Sequence, residues 1–66
     1  MTKETWVVEV VLDCATQTYS VERVRLYGST LFDPLQQYIL TEAVDEIGAF
    51  NEAAKTLSRL GFRVGN

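Results

Sequence analysis

Two signals bracket the second half of this chain and limit what it can fold into: Asp33-Pro34-Leu35-Gln36 at one end and Leu60-Gly61-Phe62 at the other. The first has the form of a helix start and the second of a helix stop. Asp33 can accept a hydrogen bond from the backbone N–H near Gln36, and Pro34 at the first helical position loses nothing by its missing donor. Gln36 completes the spacing of a capping box, with Asp33 in place of the usual Ser or Thr. Phe32, just before the cap, is placed to staple onto Tyr38 or the nearby turn. At the far end Gly61 suits the left-handed residue that closes a helix, and Phe62 falls where a Schellman motif returns a contact to Leu57. Lys55 and Arg59 lie near the negative end of the helix dipole.

Between these signals Leu35, Ile39, Ala43, Ile47, Phe50, Ala54 and Leu57 step by three or four, with Leu40, Ala53 and Leu60 at the margins. That stripe predicts one amphipathic helix over residues 34–60, about 40 Å long at the usual rise. Gly48 stands opposite the stripe, where it costs about 1 kcal/mol relative to alanine without forcing a break. The alternative is a helical hairpin, broken near Gly48-Ala49.

The first half alternates like a hairpin. Residues 5–12 are almost all apolar or β-branched, and residues 19–27 form a second such run across the polar stretch Cys14 to Thr18. Side-chain matching sets Val8 against Val24 and Trp6 against Leu26 on one face. It sets Glu9 against Arg23, Val11 against Val21 and Val7 against Arg25 on the reverse face. Glu22 then falls opposite Val10 on the core side. Either that end of the hairpin lies beyond the helix, or a β-bulge near Glu22-Arg23 returns Val21 to the inner face. Phe62 to Val64 reads as a short strand at a sheet edge. The expected fold is therefore α+β in one small domain over residues 1–66: a β-hairpin, a long amphipathic helix and a short C-terminal strand, in the order β-β-α-β.

Size makes association the natural expectation. A domain of 66 residues buries only roughly 60% of the surface its unfolded chain exposes and usually needs a disulfide, a metal or a partner. The single Cys14 forms no intrachain disulfide, and the chain has no histidine for zinc. A partner subunit remains. The predicted helix also outruns its hairpin, since such strands span at most about 30 Å. Nothing in the chain has the form of a transmembrane span or export signal, so a cytoplasmic protein with a reduced thiol is expected, without membrane partners.

Chemistry is sparse. Without histidine neither a Ser-His-acid triad nor a Cys-His pair can form, and Cys14 carries no signal that lowers its thiol pKa. Glu42, Asp45, Glu46 and Glu52 lack calcium-loop spacing and read as a solvated face or a docking surface for a basic partner. Gly28-Ser29-Thr30 lacks the lysine and glycine spacing of a phosphate loop and reads as a turn. No catalytic residue, cofactor or metal is expected. The function expected is a noncatalytic protein-protein interaction or regulatory protein, a homodimer binding another macromolecule. Its surface would be Val7, Val11, Tyr19, Val21 and Tyr27 of the reverse sheet face with Phe50, Ala54 and Leu57 of the helix. The alternative is a small nucleic-acid-binding protein using Tyr19, Arg23, Arg25, Tyr27 and Arg63, which combine charge with stacking groups. Against it stand six basic residues to nine acidic, a net charge of −3.

Overall fold

The apolar run that opens the chain becomes its central strand. In a computed structural model, which describes residues 2–28 and 35–65, β1 (Glu4–Asp13) is flanked by β2 (Thr18–Leu26) and β3 (Gln37–Ala43). Helix α1 (Glu46–Arg59) packs on one face, and β4 (Arg63–Val64) closes the chain. The four strands form one mixed sheet in the order β3-β1-β2-β4, with β1 antiparallel to both neighbours and β4 parallel to β2. The α+β class is that expected from the sequence, with the hairpin, a C-terminal helix and the short last strand all present.

The hairpin register follows side-chain matching as far as Glu9. Trp6 pairs with Leu26, Val7 with Arg25, Val8 with Val24 and Glu9 with Arg23. The ladder then shifts, so that Val10 pairs with Val21 and Val11 with Ser20 rather than with Val21. Glu22 is the extra residue of a β-bulge, and this resolves the misfit of a carboxylate facing the core. Beyond it Val21 and Tyr19 point to the helix side, where Tyr19 is buried and Val21 packs against the core. The connecting loop is pinned by Asp13, whose Oδ1 accepts from the backbone N–H of Ala15 at 3.0 Å and of Thr16 at 3.4 Å. Cys14 sits exposed in this loop.

The long helix over residues 34–60 does not form. Residues Gln37–Ala43 are a strand, and the helix starts at Glu46 with Asp45 as its cap. Asp33 and Pro34, with Phe32, lie outside the described residues. The Gln36 Nε2 donates to the Val10 carbonyl at 3.0 Å, anchoring the entry to β3. The true cap works as such caps do, Asp45 Oδ1 accepting from the Gly48 N–H at 2.8 Å, with Glu46 in the positive first turn. Gly48 neither breaks the helix nor sits in its middle. It fills the first turn, where a Cβ would stand 3.1 Å from Asp45 Oδ1 and 3.3 Å from the Ala43 side chain. Glu42 and Glu46 therefore belong to different elements and do not share a helical face. Replacing Asp45 with alanine is expected to cost about 1 kcal/mol, read as a lower urea midpoint with unchanged slope; an unchanged midpoint would remove the cap from the account.

The helix stop is a Schellman motif. Gly61 has φ +95°, its N–H donates to the Ser58 carbonyl at 3.0 Å, and the Phe62 N–H donates to the Leu57 carbonyl at 3.0 Å. Phe62 then packs against the core. The chain returns to the sheet as Arg63 N–H donates to the Gln17 carbonyl and Gly65 N–H to the Tyr19 carbonyl. Ala49, Ala53 and Leu57, four apart, form the buried seam of α1 over Val8, Val10 and Tyr19. The Trp6 indole Nε1–H donates to the Ala43 carbonyl at 3.0 Å, tying the end of β3 to β1 just before the helix begins. A 14-residue helix spans about 21 Å, so it fits on strands of 9 and 10 residues and leaves no overhang.

Candidate functional site

Strand alternation puts Val7, Glu9 and Val11 of β1 on the face away from the helix, with Arg23 and Arg25 of β2 and Tyr38 and Leu40 of β3 beside them. Glu9 is the centre of this face. Arg25 Nε donates to Glu9 Oε2 at 2.9 Å, and Arg23 Nε lies 3.4 Å from Glu9 Oε1. The Glu9 and Arg25 side chains are both 9% exposed, whereas that of Arg23 is 62% exposed. The closer contact is the diagonal one, since Arg25 stands directly opposite Val7 and its long side chain reaches back to Glu9. Two guanidinium groups thus share one carboxylate, and Arg23 presents its charge outward.

Apolar groups surround this charged centre. Val7 is fully buried, while Val11, Tyr27, Tyr38 and Leu40 are each about half exposed. A second apolar surface lies on the helix side, where Val24, Glu46, Ile47 and Phe50 line an open groove of about 290 Å³. Ile47 is among the most exposed large side chains, and Leu26 of the neighbouring strand is also exposed.

The structure divides the residues expected to form one interaction surface. Val7, Val11 and Tyr27 are on the face away from the helix, Val7 being buried there. Tyr19 and Val21 are not: the bulge turns them to the helix side, into or against the core. Leu57 is 2% exposed and is a core residue, and Ala54 packs partly buried against the core. Phe50 alone of the three helix positions is exposed, at the groove. Of the residues considered for nucleic acid, Arg23, Arg25 and Tyr27 share a region, Tyr19 is buried, and Arg63 stands in β4 opposite Thr18. Tyr38, Leu40, Ile47 and Val24 join these surfaces unannounced. The signal that could have found the first two is the strand-forming run Tyr38 to Thr41, masked by the helical spacing of its apolar residues.

Among the described residues, no group of three or more His, Cys, Asp or Glu is placed to hold a metal ion. Nor, among them, is any helix long and apolar enough to cross a membrane. The chain is a small α+β domain with an Arg23/Arg25–Glu9 group on its sheet, an arrangement consistent with a general binding surface. Comparison with known proteins finds no family model, no curated protein and no solved structure that matches it.

Proposed function

We propose that this chain is a noncatalytic interaction module that assembles as a homodimer and binds another macromolecule, a protein in the first place. One observation carries this reading. Among the described residues eleven large apolar side chains are exposed, against eight buried hydrophobic residues, three of which are alanines. A core of that size leaves a small domain marginal, and apolar surface beyond it is stabilised by contact with a partner. The premise of an overhanging helix is gone; the exposed strand and groove residues take its place. Among the expected contact residues, Val11, Tyr27 and Phe50 have the exposure that contact requires.

The nucleic-acid reading loses support from the same geometry. Arg25 is buried against Glu9 and Tyr19 is in the core, so Arg23 and Tyr27 carry that reading with little company. The experiment for the main reading is solution mass by light scattering across a concentration series. A mass twice the 7.4 kDa of the chain is expected, falling only on dilution; a mass that stays monomeric at every concentration overturns the homodimer.

A further inference from the structure

The two edges of this sheet are finished differently. At the β2 edge, β4 pairs with Thr18 and Tyr19, a bulge interrupts the strand at Glu22, and Arg23 and Arg25 follow. A covering strand, a bulge and charged residues are the devices by which sheets discourage pairing with another chain. At the other edge β3 has, among the described residues, neither a covering strand nor a bulge, and its one charged residue is Glu42, next to its last. Its seven residues pair with β1 in unbroken register from Ala43 to Gln37, and they include no proline, lysine or arginine. Among the described residues no strand lies beyond β3.

We propose that β3 pairs antiparallel with β3 of a second copy across a two-fold axis centred on Ile39, fusing two four-stranded sheets into one. This deepens the homodimer reading and rests on it. A two-fold axis normal to the sheet brings together residues of the same face, so only registers centred on a residue arise. Centred on Ile39, the axis sets Tyr38 against the second copy's Leu40, and Leu40 against the second copy's Tyr38. These are aromatic-aliphatic cross-strand pairs of a favourable kind, and both residues are about half exposed in the single chain. On the helix side Ile39 meets its own copy, flanked by Gln37 and Thr41. Glu42 is left outside the paired segment. Moving the centre to Leu40 sets Tyr38 against the second copy's Glu42, and moving it to Thr41 sets Leu40 against that carboxylate. Of these three registers, the one centred on Ile39 keeps charge off the apolar groups.

Helix α1 contacts β3 as well as β1 and β2, and so crosses the sheet with the β3 edge among the strands it covers. Three strand spacings separate β1 from its counterpart, about 14 Å, which exceeds the 8–10 Å between packed helix axes.

Three proteins and one cross-linking pair test the proposal. Light scattering compares the native chain with Leu40→Glu, which sets a carboxylate against the second copy's Tyr38 at the seam, and with Ser58→Lys on the exposed end of the helix. Leu40→Glu is expected to weaken the dimer about tenfold or more with an unchanged far-UV spectrum, and Ser58→Lys to leave it unchanged. In a Cys14→Ser background, Ile39→Cys is expected to form a disulfide dimer under mild oxidation faster than Leu40→Cys, because directly opposed positions bring the thiols within bonding reach. A native chain that stays monomeric removes both the homodimer and this seam. A native dimer indifferent to Leu40→Glu keeps the homodimer and overturns the seam, and faster bridging through position 40 overturns the register. Should Leu40→Glu fail to fold, the bridging rates decide alone.

Discussion

Leu57→Ala is expected to leave this domain at or past the edge of unfolding. Among the described residues Leu57 is the largest fully buried side chain, 2% exposed, and it belongs to one core cluster with Val10 and Tyr19. Truncating a buried leucine costs about 2–5 kcal/mol through lost transfer energy and the cavity left behind. A core of this size supplies rarely more than about 3–5 kcal/mol of net stability in total. The rest of the seam is Ala49 and Ala53, which have no volume to close the gap. Urea denaturation at fixed protein concentration, followed by far-UV circular dichroism, should show the transition lost or moved to the lowest denaturant. A loss under about 1 kcal/mol would place Leu57 among half-exposed residues and contradict its burial.

Glu9→Ala should be nearly as damaging, for an electrostatic reason. Glu9 and Arg25 are both almost fully covered, so the substitution takes from a desolvated guanidinium the carboxylate to which its Nε donates. Breaking one side of a buried pair typically costs about 3–5 kcal/mol, whereas exposed pairs are worth about 0–1 kcal/mol. Arg23 cannot compensate, having the same charge. The discriminating variant is the double replacement Glu9→Leu with Arg25→Met, which removes both charges and keeps apolar volume. It should recover most of the stability lost in Glu9→Ala. If the double variant is as unstable as the single one, packing rather than charge governs this site.

Much of the hairpin was legible because its constraints are local and redundant. Val8 with Val24, Trp6 with Leu26 and Glu9 with Arg23 satisfy alternation, apolar matching and charge at once. The bulge was legible as one of two alternatives, because the matched register put Glu22 on the core side. Gly61 declared the helix end because no other residue takes φ +95° so cheaply.

The third strand was hidden by an arithmetic coincidence. Positions four apart share a face in both a helix and a strand, and Leu35, Ile39, Ala43 and Ile47 step by four. Those residues could not distinguish the two periods. The residues between them could: Tyr38, Ile39 and Thr41 favour strand, and Asp45 with Glu46 after it is itself a helix start. Asp33-Pro34 drew the boundary too early because capping chemistry is short-range and blind to residues more than a turn away. The charged centre was half legible. Glu9 opposite Arg23 comes from register, but the tighter diagonal bond to Arg25 depends on side-chain reach and burial, which pairing rules do not carry.

The indole of Trp6 gives this protein a built-in optical gauge. It is the single tryptophan in the chain, and its hydrogen bond ends on the last residue of β3, three residues before α1 starts. Emission therefore reports on one joint, the place where the sheet hands over to the helix. Lifting the helix away would wet the indole and shift its spectrum to the red, while fraying of β4 at the opposite end of β2 would leave its emission unchanged. Fluorescence set against circular dichroism would thus tell whether helix and sheet part together or in sequence.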